Sequence, residues 1–366
     1  MAHEPVMTRM DIARCRLFNQ RIAGTAFDKP GEVVEWLGAV QAQDYLGALW
    51  AVGLRARGAT EADIERALAD RTIVRTWPMR GTLHFVTAAD VRWMLKLLTP
   101  RIITGSARRL KQQFDLDDAT FARSKEVFAR ALQGGKQLTR DALYQALEAA
   151  QISTAGQRGL HILWRVAQEG LICFGAREGK QHTFALLDEW APNAKSMERD
   201  EALAELARRY FTSHGPATLQ DFVWWSGLRT ADAQAGLDMV KAHFVREVVD
   251  DRTYWFPQHM PAATDTSPTA YLLPSYDEYM VGYKDRSAAL DPKQANYASS
   301  GYGIFNPIII IDGRATGTWK RAFKKGTVVI TPHLFNALTN DERRAVATAA
   351  ARYGAFLELP VAATQA

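Results

Sequence analysis

The chain has 366 residues, 47% of them hydrophobic and 23% charged, which excludes bulk disorder and leaves room for two or three domains. A formal charge of +5 and an isoelectric point near 9.1 fit a polyanionic partner without requiring one. Cys15 and Cys173 lie outside any Cys/His ligand pattern, and no apolar run reaches the roughly eighteen residues of a membrane span. A disulfide framework, a structural zinc site and a membrane-spanning helix are therefore not expected.

Apolar periodicity predicts helices near residues 8–22, 31–41 and 60–70, then a hairpin over 72–86 that turns at Met79, Arg80 and Gly81. Residues 87–134 read as mainly helical. Thr139 caps a short helix carrying Leu143 and Leu147, and a second helix spans 154–170, with Leu160, Leu163, Trp164 and Ala167 on one side and Gly170 at its end. Strands at 171–176 and 181–187 follow around a Gly-containing turn. The same order returns further along: Thr218 caps a helix closing on Gly227, Thr230 caps a second with Leu237 and Val240 facing inward, and a hairpin over 244–256 turns at Asp250 and Asp251.

Helix, helix, hairpin is the order of a winged helix-turn-helix unit. The expected fold is α+β, with tandem winged-helix units at 1–134 (the most divergent, with a helical elaboration), 135–195 and 196–260. After a soft stretch at 261–268, strands within 307–330 form a meander with Asp312 and Gly313 as a tight turn. A capping box at Thr339 and Glu342 then opens a last helix, completing a C-terminal α+β module over 268–366. Asp11, Arg14 and Arg16 stand where a signal peptide needs its apolar core, so the expected location is the cytoplasm.

Three constellations carry candidate chemistry. In Gln41-Ala42-Gln43-Asp44 the two amides point about 200° apart on a helix but to the same side of an extended chain, so they face one cleft if the helix ends near Val40. A polar helix end whose amides cap carbonyls explains the same residues. In the 75–84 hairpin, Arg75, Arg80 and His84 are expected close to DNA; an exposed Arg and a His satisfied by backbone is the plain alternative. Tyr276, Asp277, Glu278 and Tyr279 offer paired carboxylates, for which caps and ion pairs with Lys284 and Arg286 are the expected structural use.

The chain resembles the AlkZ and YcaQ family of winged-helix DNA glycosylases over nearly its whole length. The resemblance is carried by Gln41-Ala42-Gln43-Asp44, by the stretch from Arg75 to His84, by His214-Gly215-Pro216 with Thr218, by Trp224-Trp225 with Gly227 and Leu228, and by Leu273-Pro274 with Asp277, Glu278, Tyr279, Gly282, Lys284, Asp285 and Arg286. It implies three tandem winged helices, a β-rich C-terminal module and a concave basic channel for duplex DNA. It also implies that Gln41 and Gln43 are catalytic, in the Gln-x-Gln form of the AlkZ branch. Asp44 departs from that form and would share the work.

A neutral amide is no general base at pH 7, yet it can orient a water and stabilise nearby charge. Such a site suffices when the leaving group is already activated, as in a purine made cationic by N7-alkylation. The expected activity is therefore monofunctional hydrolysis of cationic N7-alkylpurines from double-stranded DNA by a monomer, extending to the unhooking of interstrand crosslinks, with no metal or cofactor. No Lys lies in or beside 41–44, which disfavours a Schiff-base lyase. Phosphate contacts are expected from Arg108, Arg109, Lys111, Lys284, Arg286, Lys320, Arg321, Lys324 and Lys325. The rival is a non-catalytic winged-helix regulator, which release of a free alkylated base would separate from an enzyme.

Overall fold

Helix starts follow their capping residues in the computed structural model, which describes residues 7–258, 268–298 and 305–362. These group into two compact units, Met1–Ile64 with Leu203–Ala366 and Glu65–Ala202. In the first, Thr8 and Asp11 close a capping box on α1 (Arg9–Asn19), and Pro30 opens α2 (Pro30–Leu37). The helix expected over 31–41 ends earlier, at Leu37, because Gly38 turns the chain at φ +79°. Val40–Gln41 is then a short extended segment, β1. Asp44 caps α3 (Tyr45–Gly53), a helix that periodicity did not signal because nearly all its residues are apolar and buried.

α4 (Glu61–Ala69) leads into the second unit, where β2 (Ile73–Met79) and β3 (Thr82–Thr87) pair antiparallel around Arg80 at φ +54° and Gly81 at φ +73°. α5 (Val91–Phe114) and α6 (Asp118–Leu132) fill the stretch expected to be helical. β4 (Leu138–Thr139), α7 (Arg140–Ala149), α8 (Arg158–Gln168), β5 (Ile172–Glu178) and β6 (Gln181–Leu186) follow, the strands ordered β4–β6–β5. α8 begins at Arg158, not Thr154, because the Thr154 hydroxyl donates back to Glu148 in the last turn of α7, and Leu160 faces solvent instead of joining Leu163. Trp77, Leu110, Phe128, Leu143, Leu147, Leu163 and Phe184 belong to the core of this unit. α9 (Leu187–Trp190) and α10 (Arg199–His214) complete the passage back to the first.

There, α11 (Leu219–Ser226) has the expected capping box from Thr218 and ends on left-handed Gly227. α12 (Thr230–Val240) corrects the expected cap: Arg229 is the N-cap, and Thr230 is already helical. β7 (Phe244–Val249) and β8 (Arg252–Pro257) meet at Asp250 and Asp251, both at positive φ as a primed hairpin turn requires. Most of the soft stretch at 261–268 lies outside the described residues.

β9 (Ala270–Leu273), α13 (Glu278–Val281), α14 (Ala295–Ala298), β10 (Ile308–Ile311), β11 (Arg314–Lys324), β12 (Thr327–Leu334), α15 (Asn340–Phe356) and β13 (Val361–Ala362) follow. The strands form one sheet, ordered β13–β12–β11–β10–β9, antiparallel except for β12 with β13. Trp50 of α3 packs its ring 5.0 Å from both Tyr353 and Phe356 of α15 and donates its indole N–H to the Leu272 carbonyl of β9. That anchor fixes the helix that follows Gln41, Gln43 and Asp44. Among the described residues no helix is long and apolar enough to cross a membrane.

In the second unit His182 lies 3.1 Å from Arg75 Nη1 and edge-on to Phe174. Burial, then the charges of Arg75 and Arg177, pull its pKa down from 6.5 to about 4. The unfolded chain therefore takes up a proton between pH 6.5 and 4 that the folded chain does not. The stabilising contribution is complete above 6.5 and is lost as pH falls through that window. His182→Gln is expected to flatten the fall of Tm across it; parallel curves for variant and wild type would refute the assignment.

Candidate active site

Gln41 enters the site through its main chain. Its N–H donates to Glu278 Oε1 at 2.9 Å, and Glu278, in the first turn of α13, is wholly buried. The other carboxylate oxygen accepts from the indole N–H of Trp225 at 2.9 Å and stands 3.5 Å from His214 Nε2, beyond an ordinary hydrogen bond. His214 stacks on Tyr210, with Nδ1 2.8 Å from Ser213 Oγ. Its burial outweighs the pull of Glu278 and holds the imidazole below its ordinary pKa, so it is neutral at pH 7.

The neighbouring carboxylate does other work. Asp277 accepts from both terminal nitrogens of Arg55, at 2.8 and 2.9 Å, and from the Tyr279 N–H at the start of α13. Arg55 is itself buried and donates further to the carbonyls of Gln20 and Ala51 and to the Gln20 side chain. The expected ion pairs of these carboxylates with Lys284 and Arg286 are therefore corrected. Lys284 is exposed with its main-chain N–H on Asp221, and Arg286 donates to the Met280 carbonyl with its guanidinium over Phe305. The physical reason is that α13 turns Asp277 inward, where a buried guanidinium can satisfy both oxygens at once.

The two glutamines differ in environment. The Gln41 side chain is buried, 9% exposed, and its Oε1 has no hydrogen-bond partner among the described residues, whereas Gln43 is exposed. A buried acceptor left unmade costs roughly 1–3 kcal/mol, so it calls for an occupant. Asp44 is half-buried, and its Oδ1 accepts from the Gly47 N–H as the cap of α3. Together the segment presents an orphan amide oxygen, a second amide and a carboxylate along a few residues of non-helical chain.

The hairpin residues fall out differently. Arg75 is buried, with its guanidinium over Phe174, so its charge points into the unit's own aromatic core. His84 is buried too, Nδ1 2.9 Å from the Thr82 carbonyl and Nε2 3.2 Å from Arg80, which sits half-exposed at the turn. Arg108 and Arg109 are exposed on α5, and Lys111 beside them pairs with Asp115 and Asp117. Lys320, Lys324 and Lys325 are exposed on the β11–β12 hairpin, while Arg321 reaches back to the Tyr353 hydroxyl. Sequence reasoning missed the supports of Gln41: Glu278 was read for its charge, Trp225 and His214 only as parts of motifs, and Arg55 not at all.

An interstrand DNA cross-link repair glycosylase of Streptomyces sahachiroi is 27% identical over 323 residues, covering 82% of this chain and 84% of that one. The fold is that of the solved DNA glycosylase AlkZ of the same organism, with a TM-score of 0.81 and 24% identity over 98% of this chain and all of that one. The family described as DNA glycosylase AlkZ-like matches residues 34–356, a span that holds Gln41, Gln43, Asp44, His214, Trp225 and Glu278. The chain belongs to the AlkZ-like family of DNA glycosylases.

Proposed function

We propose that this protein hydrolyses the N-glycosidic bond of cationic N7-alkylated purines in double-stranded DNA, as a monofunctional glycosylase. The observation that carries the reading is the buried Oε1 of Gln41, which has no hydrogen-bond partner among the described residues. An amide oxygen there accepts a proton of water and aims its lone pair, and Gln43 supplies a second polar group to the same few residues of chain. Departure of an already cationic base needs little acid assistance, so holding water against an oxocarbenium-like sugar is the larger part of the task. Asp44, next to the pair, shares in stabilising that sugar. The name of the Streptomyces relative, an interstrand DNA cross-link repair glycosylase, supports extending the substrates to interstrand crosslinks.

The repeated helix, helix, hairpin order supports three winged-helix units at 1–134, 135–195 and 196–260, followed by a C-terminal module over 268–366 whose sheet and last helix pack with the chain's first helices in one compact unit; the protein is read as a cytoplasmic monomer. Within this reading Arg80, Arg108, Arg109, Lys284, Lys320, Lys324 and Lys325 contact phosphate; His84 holds Arg80, and Arg286 and Arg321 shape the adjoining surface. Arg75 and Lys111 are engaged within the protein and contribute less.

The test is incubation with a duplex bearing a single N7-methylguanine. Free 7-methylguanine is expected, leaving an abasic site that breaks only on alkali treatment, with no release from undamaged duplex. Binding of the same duplex without release of any base from it or from crosslinked DNA would favour a DNA-binding regulator.

A further inference from the structure

We propose that Glu278 is a positioning residue for base excision, holding the Gln41 main chain so that the Gln41 amide oxygen stays aimed at the attacking water. This rests on the reading of Gln41 given above. Glu278 is fully buried, and its two oxygens are divided between two donors, Oε1 to the Gln41 N–H and Oε2 to the Trp225 indole, each at 2.9 Å. One planar group thus ties the segment bearing the orphan oxygen to a side chain held in an aromatic cluster. Trp225 is itself buried among Tyr210, His214 and Phe222.

Burying a carboxylate is an expensive means of satisfying a main-chain N–H and an indole N–H, which neutral acceptors could do without the desolvation of a charge. What the carboxylate adds is direction. Both oxygens of one planar group accept charge-assisted bonds, and the group cannot turn towards one donor without loosening its hold on the other. The base of the arrangement is fixed independently. Asp277, the preceding residue, caps α13 and is clamped by Arg55, so Glu278 leaves the helix at a set angle. Neutral His214 beside Oε2 fills the space without supplying a positive charge that would draw the carboxylate away.

The test compares single-turnover release of 7-methylguanine, duplex affinity and Tm for wild type, Gln41→Ala, Glu278→Gln and Glu278→Asp. An amide offers one acceptor oxygen for two N–H donors, so Glu278→Gln releases either Gln41 or Trp225. Glu278→Asp keeps the charge but withdraws it by one methylene. Both are expected to slow excision by on the order of 10²-fold at most, with duplex affinity unchanged. In a Gln41→Ala background each should add less than about threefold, because the effect passes through the Gln41 side chain. Excision by both Glu278 variants at the wild-type rate, or an undiminished loss when Gln41 is already Ala, overturns the proposal. If Glu278→Gln does not fold, Glu278→Asp alone decides it by the same comparison. Gln41→Ala excising normally would instead overturn the reading of Gln41 itself.

Discussion

Gln41→Ala is expected to lower single-turnover excision of a cationic N7-alkylguanine by on the order of 10²-fold while leaving affinity for the duplex nearly intact. Removing the amide removes the buried acceptor but none of the phosphate contacts. Gln43→Ala should act in the same direction, and the double variant should be little worse than the slower single, since groups that hold one water act as a unit. Asp44→Asn is the internal comparison. Its carboxylate already caps α3 through Oδ1, and an amide oxygen can keep that bond, so a loss exceeding that of either Gln variant would make the charge of Asp44 the principal stabiliser. Wild-type rates from all three variants would reduce the segment to a polar chain end and leave the hydrolysis without its water-holding group.

The largest effect on stability is expected at Arg55. Arg55→Met leaves the buried carboxylate of Asp277 with only the Tyr279 N–H of the three donors it now has, and the loss of one partner from such a pair costs about 3–5 kcal/mol. Urea or thermal unfolding of the unit holding Arg55 should show it as an earlier transition. Arg55→Met combined with Asp277→Leu should regain part of the loss, because an uncompensated charge is no longer buried. A double variant less stable than Arg55→Met would mean that Asp277 contributes through its cap of α13 more than through its ion pair.

Local signals were legible where short-range chemistry decides the outcome. Thr139, Thr218 and Thr339 start helices because their hydroxyls reach N–H groups three residues on, and Gly227 ends one because it takes left-handed φ at low cost. The paired Asp250 and Asp251, like Asp312 and Gly313, turn hairpins for the same reason of positive φ. The misses also have local causes. α3 went unseen because a helix buried over nearly all its residues carries no amphipathic stripe, and Thr230 lost its cap to Arg229 because Ser/Thr preference is only a tendency.

What the sequence by itself determined is the element order, the hairpin turns and the motif set that points to an AlkZ-like glycosylase, since each depends on neighbours along the chain. Only the tertiary structure decided that residues on either side of 65–202 form one compact unit, that Asp277 pairs with Arg55 and not with Lys284 or Arg286, and that Glu278 grips Gln41. Gln41 and Glu278 are separated by 237 residues, and Arg55 and Asp277 by 222. No propensity or period links positions so far apart. Their meeting follows from which faces the fold buries, and a buried donor takes whichever acceptor packing places within reach.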